Sequence, residues 1–194
     1  MNSLEDLKNE IRKCNKCPLY KMLPDGCTPV CGVGPVNAKI FCLAESPGKD
    51  EVIMDEPLVG ICGKYFDKLL AAADIKRSEC YIDNLVHCRC TDNGKKNRPP
   101  KKDEINACLS WISQIILTVN PSIIISFGKH PAEYLLKRKV KKLMDEIGKI
   151  NYSYYLPCGF ICSLHPSYVM QYGKNYEGQV IEHLKLAKKV AYGL

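Results

Sequence analysis

Apolar and polar positions along the chain follow two periods. Continuous apolar runs stand at Lys39–Ala44, Cys80–Val86, Ser122–Phe127 and Phe160–Leu164. Each has the length of a strand buried on both faces. Between them the apolar residues space out at three and four. Leu4, Leu7 and Ile11 share one face of a helix over 3–13, and further helices are predicted over 63–73 and 130–137. Asp103 is placed to cap a helix carrying Ile105, Cys108, Leu109, Ile112, Ile115, Ile116 and Val119. A last helix, about 175–191, carries Val180, Ile181, Leu184 and Ala187. Strands alternating with helices predict an α/β fold with a parallel sheet covered on both faces. Ligands of such sheets bind beyond the carboxyl ends of the strands. Three segments carry chemistry there: Glu45–Glu51, Asn84–Cys90 and a loop His165–Tyr168.

The chain has 194 residues, a length suited to one domain over 1–194, since cores stop growing only beyond about 250–300 residues. No apolar run approaches the ~18 residues of a membrane span. The opening MNSLEDLKNEIRKC lacks the apolar stretch of an export signal. The expectation is a soluble, intracellular (cytoplasmic) monomer without a membrane partner. Net charge is +7, from 28 Lys and Arg against 21 Asp and Glu. That balance is compatible with a polyanion without requiring one. The cations are concentrated: Lys95, Lys96, Arg98, Lys101 and Lys102 crowd one loop, and Lys137, Arg138, Lys139, Lys141 and Lys142 another.

Twelve cysteines in a chain without an export signal argue against a disulfide framework. Cys42 and Cys80 lie in apolar runs and read as small buried hydrophobes. Cys14-Asn-Lys-Cys17 is a C-x-x-C pair able to reach one metal centre. It needs two more thiolates, and Cys88 and Cys108 are the natural suppliers, with Cys90 the substitute for Cys88. Cys27/Cys31 and Cys158/Cys162 are rival pairs. Four thiolates fit structural zinc or an iron–sulfur cluster, and spacing alone does not choose.

The ordered motifs C-x-x-C-P, A-E-S-P-G-K-D-E, P-L-V-G, I-D-N-L-V-H-C-R, N-R-P-P, E-x-x-x-C and H-P-S-Y run from Cys14 to Tyr168. In that order the chain resembles the family-four uracil-DNA glycosylases. The resemblance implies a three-layer α/β/α sandwich around a four-stranded parallel sheet. It also implies a [4Fe–4S] cluster on Cys14, Cys17, Cys88 and Cys108, and a DNA partner containing uracil or another modified base. Such an enzyme stabilises an anionic leaving base and directs water at the sugar. His165 is matched to hydrogen bonding of the leaving base, and Asn84 to reading its edge with a donor and an acceptor. Glu45 and Glu51 are the carboxylates that position water or line the pocket. Ser46, Leu58 and Asn97 are placed around the base. Tyr168, Val169 and Met170 are placed as the wedge that fills the gap left by a flipped nucleotide. The chain departs from the family at Leu58, where a Phe stacks on the base, at Ser46, where Ala or Gly is usual, and at Gln171, where Arg is frequent.

The expected activity is monofunctional hydrolysis of the N-glycosidic bond of uracil in DNA, in base excision repair. Two alternatives are the same chemistry on another modified base and a non-catalytic iron–sulfur DNA-binding module. The second gives no reason for Glu45, Asn84 and His165 to occur together. The cysteine assignment predicts a brown protein with broad absorbance near ~400 nm. Cys108→Ser should bleach it, and Cys27→Ser or Cys31→Ser should leave the colour. Colourless, anaerobically prepared protein with stoichiometric zinc and no iron would refute the assignment.

Overall fold

A computed structural model describes residues 3–194. Met1 and Asn2, which the opening segment and the span 1–194 include, lie outside the described residues. One sheet holds β1 (Ile40–Ala44), β2 (Cys80–Asn84), β3 (Ile123–Phe127), β4 (Ile150–Asn151) and β5 (Gly159–Ser163), in the order β2-β1-β3-β5-β4. β2, β1, β3 and β5 are parallel, pairing Ala44 with Asn84 and Phe127 with Ser163, so their carboxyl ends are level. The two-residue β4 pairs antiparallel with β5 at the sheet edge. The four-stranded expectation is therefore corrected to five strands, because two residues are too few to show a period.

The helices are α1 (Leu4–Arg12), α2 (Lys49–Met54), α3 (Gly60–Ala72), α4 (Lys102–Val119), α5 (Lys129–Leu136), α6 (Pro166–Tyr172) and α7 (Glu177–Tyr192). Every residue of β1, β2, β3 and β5 is buried, because both faces of the sheet are covered. Ile40, Cys42 and Ala44 join Phe66 and Leu69 of α3 and Val180 and Leu184 of α7 on one face. Phe41 and Leu43 join Leu7 of α1, Ile112 and Ile115 of α4 and Leu135 of α5 on the other. Among the described residues no helix is long and apolar enough to cross a membrane.

Three boundaries differ from the sequence expectation for local reasons. α4 begins at Lys102 with Lys101 as its cap, two residues ahead of Asp103. Glu104 fixes this start: its carboxylate accepts the Lys101 N–H at 2.7 Å and both ends of the Arg98 guanidinium at 2.5 and 2.8 Å. α2 is too short to betray a period. The segment after His165, read as a loop, is the short helix α6: Pro166 supplies a ready-made φ at its first position and His165 is its cap.

Between α2 and α3 the chain makes a tight turn in which Leu58 takes a left-handed conformation, φ 50°. Leu58 is 3% exposed and packs in the cluster of Ala44, Phe127 and Leu164. Gly63 makes the turn possible, because a Cβ there would collide with the Leu58 carbonyl. Gly63→Ala should therefore lower the unfolding free energy by about 3 kcal/mol, since backbone cannot step aside. Gly178→Ala, at a helical position with open space around it, should raise it by about 0.5–1 kcal/mol. Urea denaturation of both variants checks this; equal midpoints would contradict the packing account.

Candidate active site

The chain leaves β1 for β2 on one side and later returns to β3 on the other, so the sheet has its switch point between β1 and β3. Glu45 follows β1, Gly128 follows β3 and His165 comes two residues after β5. These three ends are neighbours. A Cβ on Gly128 would lie 3.7 Å from both Glu45 Oε2 and His165 Cβ, so the missing side chain leaves the carboxylate and the imidazole facing one space. Asn84 ends β2 beside Ala44, and Val86 N–H donates to the Glu45 carbonyl at 3.1 Å.

His165 is half-buried. Its Nδ1 accepts the Ser167 backbone N–H at 3.2 Å and lies 2.7 Å from the Ser167 hydroxyl. A backbone N–H only donates, so Nδ1 is the acceptor and the neutral ring carries its proton on Nε2. Burial holds the imidazole below its ordinary value of 6.5, with nearby Glu45 opposing. Glu45 Oε2 is 2.8 Å from Nδ1 of His130, near the start of α5. A carboxylate accepts, so His130 donates and orients it. His130 escaped the sequence reading, although the switch-point rule applied to Gly128-Lys-His130 would have found it. Asn84 is 1% exposed, and its Nδ2 has no partner among the described residues.

The remaining sequence candidates divide between the site and its scaffold. The Glu51 carboxylate is buried and accepts backbone N–H groups of Gly48, Val59 and Leu58, which joins the Pro47-Gly48 turn to the Leu58 turn. Burial raises its pKa against those hydrogen bonds. Leu58 is buried too, packed beside Ala44 at the end of β1. Of the wedge candidates, Val169 is 2% exposed and packs in the core, whereas Tyr168 and Met170 are exposed. Tyr168 stacks against Tyr172 and Tyr176, with ring centroids 4.6 and 5.6 Å apart.

Ser46 hydrogen-bonds the Cys90 thiol, which burial nevertheless pushes up to about 12. Asn97 Oδ1 accepts Nε of Arg89 at 2.6 Å, and the same guanidinium donates to the carbonyls of Gly94 at 2.8 Å and Lys95 at 3.2 Å. Arg89, also missed from sequence, thus staples the 91–97 loop beside the Gly48 turn.

Cys14, Cys17, Cys88 and Cys108 line one small pocket with Ile11, His87 and Trp111. Cys90 is turned away toward Ser46. Burial raises the Cys88 thiol, and Cys108, Cys17 and Cys14 raise it further, so the four share one electrostatic neighbourhood. All twelve cysteines are free. Among the described residues no three His, Cys, Asp or Glu side chains converge closely enough for a single metal ion.

The sequence model of the "Uracil DNA glycosylase superfamily" matches residues 31–185. The chain belongs to the uracil DNA glycosylase superfamily. Relatives of this superfamily named "Type-4 uracil-DNA glycosylase" include one from Saccharolobus solfataricus, 36% identical over 80% of this chain and 68% of that relative. Another, from Archaeoglobus fulgidus, is 33% identical over 70% of this chain and 64% of its own length, slightly under two thirds. A third, from Thermotoga maritima, is 27% identical over 95% of this chain and 93% of its own.

The environment of His165 in this superfamily member carries a titration consequence. A histidine whose folded value lies below its unfolded one contributes stability in full above the unfolded value. That contribution is lost as pH falls through the unfolded value toward the folded one. His183, also held low by burial, acts in the same direction. Unfolding free energy should therefore drop as pH falls below about 6.5. Nitrogen-15 NMR at pH 7.5 should show His165 neutral with its proton on Nε2; an Nδ1–H tautomer or a cation would contradict the geometry.

Proposed function

We propose that this protein is a monofunctional uracil-DNA glycosylase that hydrolyses the bond between uracil and deoxyribose in DNA. The observation that carries the reading is the His165 imidazole, held neutral with Nε2–H as its only donor, facing the same space as the Glu45 carboxylate. Asn84, with its unpartnered amide group, hydrogen-bonds the edge of the extruded base. As the C–N bond breaks, its electron pair moves onto the base. Nε2–H of His165 hydrogen-bonds the base oxygen where that charge accumulates. Glu45, oriented by His130, holds a water against the anomeric carbon; the water oxygen forms the new C–O bond and its proton passes to the carboxylate or solvent. Tyr168 and Met170, on the exposed face of α6, stand in for the vacated base.

The donor set of the cysteine pocket fits a [4Fe–4S] cluster held by Cys14, Cys17, Cys88 and Cys108. Four thiolates in one dry pocket repel one another, and a cationic centre reverses that. Buried Trp111 Nε1, unpartnered among the described residues, and His87, which hydrogen-bonds the Cys108 thiol and has Nε2 3.3 Å from the Asp83 carboxylate, line that pocket. The cluster would tie the segment after α1 to the loop after β2 and to α4. The chemistry of base release rests on His165, Glu45 and Asn84.

Single-turnover cleavage of a uracil-containing oligonucleotide, developed with alkali, tests the reading. Native protein should cut at uracil and leave the thymine control intact. His165→Ala should be slower by about 10²–10³, and Glu45→Gln by about 10² or more. Excision by His165→Ala at the native rate would remove the mechanism. Leu58, buried and without a ring, offers no stacking surface, so other deaminated bases belong in the same assay; faster excision of one of them would move the substrate and keep the mechanism.

A further inference from the structure

A second cleft lies between α4 and α5, about 510 Å³ in volume, a size that accepts a small organic ligand. Its floor is apolar: Ile105 and Leu109 of α4 and the ring of Tyr134 of α5. Its rim is cationic. Arg138 is paired with Glu146 and Lys139 with Glu133, whereas Lys102 and Lys137 have no acidic partner among the described residues. Lys137 Nζ is steadied 4.4 Å above the rings of both Tyr134 and Tyr155. His130 lines the cleft and its Nδ1 holds Glu45, so one residue borders both the cleft and the active site. An apolar floor with an unpaired cation on either side matches a nucleotide: a flat base on the floor and phosphates at the rim. Of the second basic cluster of the sequence, the cleft thus gives a task to Lys137.

We propose that this cleft is a binding site for a nucleotide of the same DNA strand close to the excised one, with its base on Ile105 and Leu109 and its phosphates at Lys102 and Lys137. The proposal rests on the glycosylase reading above for the identity of the strand. It makes the protein a reader of single-stranded context around the lesion, since a nucleotide lying in the cleft has left its stack.

Binding of an eight-nucleotide, uracil-free thymidine strand, followed by fluorescence anisotropy over a salt series, tests the site directly. Asn106→Glu places a carboxylate in the cleft from an exposed position of α4, and Lys137→Glu reverses the rim. Each should weaken binding about tenfold, because a negative charge faces the phosphates. Lys137→Glu should also flatten the log–log salt slope by about 0.7 for each phosphate that the rim no longer engages. Lys185→Glu, on α7 across the sheet, controls for net charge and should leave binding near native; an equal weakening there overturns the proposal. So does unchanged binding in both cleft variants. Uracil excision is measured in parallel: if native protein cuts no uracil but the binding pattern holds, the glycosylase reading fails and the nucleotide site stands.

Discussion

β1 is hydrogen-bonded to β2 along one edge and to β3 along the other, and the chain then turns sharply at Glu45. Parallel pairing holds the carboxyl ends of four strands level, so each strand delivers its next residues to the same rim. Glu45, Asn84, Gly128 and His165, spread over 121 positions of sequence, become neighbours for that reason alone. The turns that follow are then locked. Glu51 takes three backbone N–H groups from two of them, and Arg89 ties the third loop by its carbonyls. Buried polar groups that satisfy backbone thus fix the turns around the site.

Burial also sets the chemistry. An imidazole desolvated beside a single carboxylate stays neutral near pH 7, which is the form that donates from Nε2 without first losing a competing proton. A surface histidine of the same sequence context would be mixed. The unpartnered amide of Asn84 is costly in the absence of a ligand, as is the orphaned indole N–H of Trp111.

The basic residues show how little a charge cluster says about its targets. Arg98 sits in the same run as Lys95 and Lys96, yet it turns inward to buried Glu104 and starts α4. Lys101 is engaged by Asp92 at 3.1 Å. Arg138 and Lys139 are neutralised by neighbouring glutamates. What faces outward with charge to spare is a subset, and the cleft between α4 and α5 collects part of it.

The sequence by itself determined the sheet and its covering helices, because burial on both faces writes continuous apolar runs and amphipathic periods directly into residue order. It also placed Glu45, Asn84 and His165 at one end of the sheet, since each stands at or just past the end of such a run. Tertiary structure decided the rest. The burial of Glu51 and Leu58 is one example, since a side chain's direction out of a tight turn is fixed by packing that sequence spacing does not encode. Val169 turned inward and Tyr168 outward because α6 is a helix, whose existence depends on docking its apolar face against α3. His130 entered the site from a helix whose local pattern advertises only core. Short elements such as α2, α6 and β4 carry too few residues to show a period, so only their packing reveals them.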